Sequence, residues 1–351
     1  MSTPRRPPLP RIDERITMKY GAGGRAMRAL IEGLFAQGFP ATPGPDDVTL
    51  SALDDGAAVR VGDRWLVVTT DSHVVKPWVF PGGDIARLAV CGTVNDLAVM
   101  GATDPVGLTC AVVIEEGFAR TDLEALHASL RAACEEAGTT VLTGDTKVMG
   151  RGELDGIVFN TCGIGWASRP VTDRGLRPGD VLMVSGTIGD HGMAIMAVRH
   201  KLALEGDLRS DVAPVNGLVR RALEVGGTAI SAMKDPTRGG VAAVLHEMAQ
   251  KSGVGVLIRE SSLPVRPAVR AAAELVGLDP LVVANEGKVV LGVRPEAADA
   301  VLAALRAHPL GRDATMIGTA TDDRIGSVVM DTGFGRRLVA EPEGELLPRI
   351  C

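Results

Sequence analysis

Acidic residues recur beside glycines or after short apolar runs, and this recurrence is the strongest chemical signal in the sequence. The residues concerned, with one asparagine, are Asp54, Asp55, Asp71, Asn95, Asp96, Asp145 and Asp235. Any single Asp-Gly pair is typical of a turn. A carboxylate within an apolar helix face, as at Asp96, costs free energy unless it is paired or bound to a cation. Several converging carboxylates suit Mg²⁺, which prefers oxygen ligands and retains phosphate and water.

The sequence therefore predicts a site for a magnesium nucleoside triphosphate. Its predicted metal ligands are Asp55, Asp71, Asp96, Asp145 and Asp235.

Two cations and a glycine run could contact the phosphates of such a ligand. Lys147 lies two residues after Asp145, and Arg238 follows Asp235 in a Pro-Thr-Arg-Gly-Gly segment. Each cation could equally be a surface charge or an ion-pair partner. The run Gly21-Ala-Gly-Gly24 precedes a predicted helix, where free backbone N–H groups can receive phosphate. It lacks the Gly-Lys-Ser/Thr ending of a P-loop, so a plain loop is an equal alternative.

The chain ends in a cysteine, Cys351, beside the apolar residues Leu346, Leu347 and Ile350. A terminal thiol carries no further chain, so it can enter a cavity and be withdrawn, and the apolar neighbours favour docking on a surface over free solvation. The adjacent α-carboxylate disfavours the thiolate, so reactivity requires a positive group such as Arg349 or a lysine of the cavity. The alternative is an ordinary frayed terminus.

Composition restricts the class of protein. A chain of 351 residues with 46% hydrophobic and 23% charged residues is long enough for two globular domains. The net charge of −6, with no basic block beyond Arg5 and Arg6, argues against nucleic acid as a partner. Five cysteines without Cys-x-x-Cys spacing suggest neither a zinc site nor a disulfide framework. No stretch has membrane-spanning length or the form of a signal peptide, so we expect a reducing cytoplasm.

The order of apolar patterns predicts two mixed domains. In the first, strands are predicted at 57–61, 65–70, 107–114 and 157–164, with helices at 84–100 and 122–137. In the second, helices are predicted at 191–204, 215–225, 240–251, 265–275 and 295–307, and strands at 181–185, 254–258, 289–293, 315–319 and 326–330. The predicted organisation is a disordered extension 1–17, an N-terminal domain 18–170, a C-terminal domain 171–340 and a mobile tail 341–351.

These motifs together resemble the HypE family of hydrogenase maturation factors, which are carbamoyl dehydratases of the PurM-like (aminoimidazole ribonucleotide synthetase-like) superfamily. The resemblance covers nearly the whole chain. The aspartate motifs mark only the superfamily, whereas the final Pro348-Arg-Ile-Cys351 beside Asn285-Glu-Gly287 is specific to the family. The other motifs that carry it lie at 21–24, 54–57, 69–73, 80–84, 88–98, 144–147, 235–240 and 284–288.

The resemblance implies an α/β to α+β protein with the PurM-like two-domain fold. Its N-terminal α/β domain would contribute to a β-barrel between the subunits of a homodimer, and its C-terminal domain would be α+β. It implies that a HypF-type carbamoyltransferase loads Cys351, and that ATP with Mg²⁺ then drives removal of water to leave S-thiocyanate. The cyanide would pass to iron on a HypC–HypD scaffold.

The resemblance also implies roles for residues. Nucleotide contacts are implied for Gly21, Gly23, Gly24, Asp54, Asp55, Asp71, Asn95, Asp96, Asp145, Thr146, Asp235 and Arg238. Lys147 would steady charge on the transferred phosphoryl group or assist proton transfer. Glu286 would remove protons from nitrogen, although Asn-Glu-Gly could also be a structural turn. The tail is expected to have one position near the nucleotide and one outside.

Two other readings remain open from the sequence. Another ATP-using enzyme of the superfamily, such as a selenophosphate synthetase or a thiamin phosphate kinase, needs the aspartates but has no use for a terminal cysteine. A non-catalytic scaffold could bind nucleotide and present Cys351 as an iron or sulfur carrier, although a lone thiol is a poor metal site.

Overall fold

The computed structural model describes residues 9–21, 23–39, 44, 46–202, 207–342 and 349–351. The elements of the N-terminal half are α1 (Gly24–Leu30), which continues as a π-helical turn (Ile31–Phe35), then β1 (Ala57–Val61), β2 (Arg64–His73), β3 (Val79–Phe80), β4 (Gly83–Asp84), α2 (Ile85–Val99), β5 (Pro105–Glu115), α3 (Arg120–Ala137), β6 (Val141–Met149) and β7 (Ile157–Ala167). No helix of the described part has the length and apolar character that crossing a membrane requires.

The elements of the C-terminal half follow after a connection of loop-forming residues. They are β8 (Val181–Val184), α4 (Asp190–Arg199), α5 (Asn216–Gly226), β9 (Ile230–Lys234), α6 (Gly240–Ser252), β10 (Gly255–Arg259), α7 (Pro267–Val276), β11 (Val290–Val293), α8 (Pro295–Arg306), β12 (Thr315–Thr321), β13 (Val328–Asp331) and β14 (Arg336–Leu338).

The first sheet has the strand order β1-β2-β7-β5-β6 among the described residues. Its pairs are antiparallel except β5 and β6, which are parallel and are joined through α3. Burial along β7 alternates with a period of two, as expected for a strand with one covered face. Helix α2 packs on that covered face, and its side chains from Ile85 to Val99 are almost all buried.

The second sheet has the order β14-β13-β10-β12-β8-β11-β9 within the described ranges. Strands β10 and β13 run parallel, and the other neighbouring pairs are antiparallel. Strands β8, β9 and β11 are nearly buried throughout. The continuous runs of β8 and β11, which carry no polar side chain, fit strands that are covered on both faces. The end of β9 leads into the loop that carries Asp235, and the loop that carries Glu286 leads into β11.

Local sequence signals explain where the site-forming helix begins. The Asp84 side chain accepts hydrogen bonds from the backbone N–H groups of Ala86 and Arg87, each at 2.9 Å, and so caps α2. At the other end of α2, the chain turns at Gly101, whose φ of 92° is readily adopted only by glycine. The cap and the turn fix the register of α2, and therefore the position of Asp96 in its last turn.

The predicted helices and strands of both halves are confirmed with shifts of a few residues at their ends. The largest shift is in α4, which ends at Arg199 rather than at 204, where residues 203–206 lie outside the described ones. Strands β3, β4, β6, β9 and β14 were not predicted; β6 escaped because it lies at the sheet edge with both faces exposed and so carries no alternating pattern. Asp145 therefore lies in the middle of a strand. Residues 9–17 form no helix or strand, and residues 1–8 and 343–348 of the predicted extension and tail are not described.

The contact between α2 and the first sheet gives a stability prediction. A Cβ at Gly163 of β7 would lie 2.7 Å from Thr93 Cγ2 and 2.8 Å from Leu97 Cδ1. We expect Gly163→Ala to lower the free energy of unfolding by about 1–3 kcal/mol, because a tightly packed layer must be forced apart. Urea unfolding measures the change. The control is Gly335→Ala, where a Cβ meets nothing within 4 Å; equal effects of the two substitutions would contradict this packing.

Candidate active site at the domain junction

A cavity of about 650 Å³ lies where the two domains meet. Its walls come from the start of α1, the turn before β1, strand β2, helix α2, and the loop between β9 and α6. Most of the predicted site residues line it, namely Gly23, Gly24, Asp54, Asp55, Asp71, Asp96, Asp235, Arg238, Glu286 and Cys351. The chain thus brings together aspartates that are up to 181 positions apart, from Asp54 to Asp235.

The carboxylates of the cavity repel one another in a buried environment. Burial raises the pKa of Asp54 to about 7, and the nearby charges of Asp173 and Asp55 add to the effect. Burial, followed by the charge of Asp55, raises the pKa of Asp235 to about 8. Burial and the charge of Asp235 raise the pKa of Asp96 well above its ordinary value. Without an added cation, this cluster favours partial protonation.

Two lysines of the C-terminal domain supply part of the missing positive charge. Lys234 forms an ion pair with Asp55 and lies 3.6 Å from Asp173 and 3.5 Å from Glu247. Lys251 lies 2.6 Å from the same Asp173. Sequence reasoning did not select these lysines or Asp173. The position of Lys234 at the end of a buried strand, directly before Asp235, was the one available signal.

The unpaired carboxylate oxygens of the cavity suit a hard cation that brings phosphate and water ligands with it. The described residues hold no preformed group of three or more His, Cys, Asp or Glu side chains suited to a metal ion. However, Asp55 Oδ2 and Glu286 Oε1 are buried without a hydrogen-bond partner. Carboxylate oxygens are the ligands that Mg²⁺ prefers, and Mg²⁺ completes its shell with phosphate and water. The metal ligation predicted for individual aspartates stays a prediction.

Glu286 enters the cavity from the loop before β11. Burial, reinforced by the charges of Asp235 and Asp71, raises its pKa well above the ordinary value. A hydrogen bond fixes its backbone, because the Asn95 side chain donates to the Glu286 carbonyl oxygen at 3.0 Å. Asn95 also donates to the Ala213 carbonyl oxygen at 3.1 Å. The amide of Asn95 therefore braces the loop that carries Glu286 and does not line the cavity.

Cys351 docks into the same cavity. The residue is 9% exposed, and its carbonyl oxygen accepts a hydrogen bond of 3.1 Å from the Val74 N–H. Burial raises the pKa of the thiol to about 12, although the positive charge of Arg238 favours the thiolate. The docked sulfur is therefore a neutral thiol at ordinary pH.

Some predicted site residues lie elsewhere in the single chain. Asp145, Thr146 and Lys147 are on the exposed edge strand β6, and none of the three lines the cavity. Lys147 Nζ forms an ion pair with Asp145 Oδ2 at 2.9 Å. Gly21 ends a short 3₁₀ turn and is likewise outside the cavity lining.

Comparison with known families places this architecture in a defined class. Residues 53–167 match the N-terminal domain of AIR synthase related proteins, and residues 177–331 match the C-terminal domain of the same group. The chain is therefore an AIR synthase related, PurM-like protein. It is 49% identical over 340 residues to the carbamoyl dehydratase HypE of Rhizobium leguminosarum bv. viciae, across 96% of this chain and 95% of the relative. The chain belongs to the HypE family of carbamoyl dehydratases.

Solved structures agree with this assignment. HypE in a HypE–HypF complex shares 44% identity with a TM-score of 0.83, across 90% of this chain and 100% of that chain. HypE in complex with ATP shares 41% identity with a TM-score of 0.79, across 95% and 100%.

The crowded carboxylates predict how stability depends on pH in the absence of nucleotide. Since the pKa values of folded Asp54 and Asp235, about 7 and about 8, lie above the ordinary 3.8, the folded chain binds more protons than the unfolded chain between these values. The free energy of unfolding should therefore fall from pH 5 to pH 8. Urea titrations should show a shallower fall for Asp235→Asn than for the exposed control Asp323→Asn. Equal slopes of the free energy of unfolding against pH in the two variants would contradict a raised pKa of Asp235.

Proposed function

We propose that this protein uses ATP to remove water from a carbamoyl group on Cys351, leaving S-thiocyanate for the cyanide of a nickel–iron hydrogenase. The single observation that carries the proposal is the burial of the terminal thiol in the carboxylate-lined cavity. Membership of the HypE family supports it, as does the existence of a HypE–ATP complex. A HypF-type carbamoyltransferase is the proposed donor, supported by the HypE–HypF complex, and a HypC–HypD iron scaffold is the proposed acceptor.

The reaction must turn a poor leaving group into a good one. The carbonyl oxygen of the carbamoyl group attacks the γ-phosphorus of ATP, and ADP leaves. The nitrogen then loses its two protons, the carbon–oxygen bond breaks, and phosphate departs with the original oxygen. The products are S-thiocyanate, ADP and phosphate. The chain's task is to hold the reacting atoms in line, neutralise charge and accept protons.

Residues of the cavity fit these tasks. Asp55, Asp71, Asp96 and Asp235 would hold Mg²⁺, which supplies charge neutralisation at the phosphates when bound. Arg238, whose charge acts on Cys351, would attract the phosphoryl oxygens. Glu286 would accept protons from nitrogen, because a raised pKa makes its carboxylate a stronger base near neutral pH.

Lys147 and Asp145 require a second copy of the chain to reach a cavity. They lie on β6, a nine-residue strand that is exposed along almost its whole length, with Leu142 and Val148 53% and 69% exposed. A long, exposed edge strand presents unpaired backbone N–H and C=O groups that can pair with a strand of another chain. We propose a homodimer in which the first sheets of two subunits join, as expected for a barrel between subunits, and in which Lys147 serves the partner's cavity.

Intact-protein mass spectrometry tests the proposed reaction. The protein, mixed with a HypF-type partner and carbamoyl donor, should gain one carbamoyl mass and then lose one water only after ATP is added. Glu286→Gln should accept the carbamoyl group but lose water at least about 100-fold more slowly, the lower end of general-base effects. The control is Glu260→Gln on the exposed surface.

Two outcomes would contradict this account. ATP turnover without loss of water from the carbamoylated chain would favour another superfamily activity. Carbamoylation without any ATP turnover would favour a nucleotide-binding scaffold. A normal rate of water loss in Glu286→Gln would contradict only the proposed role of Glu286 as proton acceptor.

The proposed dimer predicts the effect of a charge on the exposed edge. Val148→Arg on β6 should shift the protein from dimer to monomer, because an arginine would be buried without a partner. Light scattering after size-exclusion chromatography measures the mass. Val225→Arg on α5, where the valine is 52% exposed, is the control and should leave the mass unchanged. An unaltered dimer in Val148→Arg would exclude β6 as the dimer interface.

A further inference from the structure

The last residues of the chain are held by groups from both domains. The backbone N–H groups of Val74 and Lys76 donate to the carbonyl oxygens of Cys351 and Arg349 at 3.1 and 3.3 Å. From the C-terminal domain, His191 of α4 contacts the Ile350 carbonyl oxygen at 2.7 Å. The described tail residues 349–351 are therefore hydrogen-bonded to both domains.

His191 has one defined protonation form in this arrangement. The Ser210 hydroxyl oxygen accepts a hydrogen bond from the Val212 N–H at 3.1 Å, which leaves its O–H free to donate to His191 Nδ1 at 2.8 Å. Nδ1 is then the acceptor, so Nε2 carries the proton and donates to the Ile350 carbonyl oxygen. Full burial lowers the pKa of His191 and keeps the ring neutral.

The ring is also fixed in orientation. The Phe80 ring meets the imidazole edge to face, with the ring centroids 5.4 Å apart and the planes at 90°. Ser210 is tied in turn to the first domain, because its N–H donates to the Pro81 carbonyl oxygen at 2.8 Å. His191 is thus a rigid donor that points at the tail.

The other polar side-chain contacts of the tail are made by Arg349 and Arg199 and are weaker candidates for this task. Arg349 pairs with Asp155 at 2.5 Å, but Asp155 is 49% exposed, and exposed ion pairs contribute little. Arg199 contacts the Arg349 carbonyl oxygen, one residue further from the thiol. The buried His191 bond is adjacent to Cys351, so its loss leaves a buried carbonyl oxygen unsatisfied.

We propose that His191 is a positioning residue, which Ser210 holds as the Nε2–H tautomer so that it seats Ile350 and directs Cys351 into the cavity. The proposal rests on the proposed function only in what Cys351 carries. Because the binding groups belong to both domains, the tail is seated only when the domains have this relative arrangement. His191 touches no reacting atom and acts through the Ile350 backbone.

Alkylation of Cys351 by iodoacetamide in the full-length protein tests the proposal. A Glu-specific protease releases residues 346–351, and mass spectrometry follows their modification with time. His191→Phe keeps a ring but removes the donor, and we expect Cys351 to react about three- to tenfold faster, as the loss of one buried hydrogen bond implies. Ser210→Ala, which releases the tautomer and also removes the acceptor of the Val212 N–H but keeps the His191 ring, should accelerate the reaction by a smaller factor.

Two controls separate seating of the tail from general loosening. His246→Phe removes a similar buried bond, from His246 Nε2 to the Val339 carbonyl oxygen at 3.0 Å, and should leave the Cys351 rate unchanged. Cys162, which lines the same cavity, should react at the wild-type rate in every variant.

An unchanged Cys351 rate in folded His191→Phe overturns the proposal, as does equal acceleration in His246→Phe or at Cys162. If His191→Phe does not fold, Ser210→Ala decides the question in the same way. The assay contains neither ATP nor a carbamoyl donor, so a failure of the proposed dehydration would leave its result intact.

Discussion

Mutual repulsion among buried carboxylates at the domain junction is the constraint on which the site depends. Asp54, Asp55 and Asp96 come from the first domain, and Asp173 and Asp235 from the second, so closing the domains brings like charges together. Lys234 and Lys251 offset this repulsion only in part, as the raised pKa values of Asp54 and Asp235 show. The resulting excess of negative charge at a 650 Å³ cavity suits a ligand that brings divalent cations with it.

The docked tail fits that electrostatic setting. A thiolate would add another negative charge to the cluster, whereas the neutral thiol, with a pKa of about 12, does not. The carbamoyl group that the proposed function places on this sulfur would be neutral as well. Nucleophilic loading needs the thiolate, so under the proposed function loading by a partner would require a second tail position outside the cavity, and dehydration would use the docked position inside it.

The sequence was informative where a residue's chemistry conflicts with its local pattern. Asp96 interrupts an apolar helix and Asp235 follows a short apolar run, and both line the cavity. The ion pairs and hydrogen bonds that support the site could not be predicted, because Asp173, Lys251 and His191 contact residues that are distant in the sequence. Asn95 was expected to contact nucleotide, yet its amide is used by backbone carbonyl groups behind Glu286. Strand β6 escaped detection because an edge strand with both faces exposed has no period-two pattern.

The most direct test of the central claim is the fate of the carbamoyl oxygen. Cys351 would be loaded with a carbamoyl group labelled with ¹⁸O, ATP would be added in unlabelled water, and the released phosphate would be analysed by mass spectrometry. Activation by phosphoryl transfer within the cavity predicts one labelled oxygen in each phosphate formed together with thiocyanate. Unlabelled phosphate alongside labelled water would contradict it, because the oxygen would then have left without being phosphorylated.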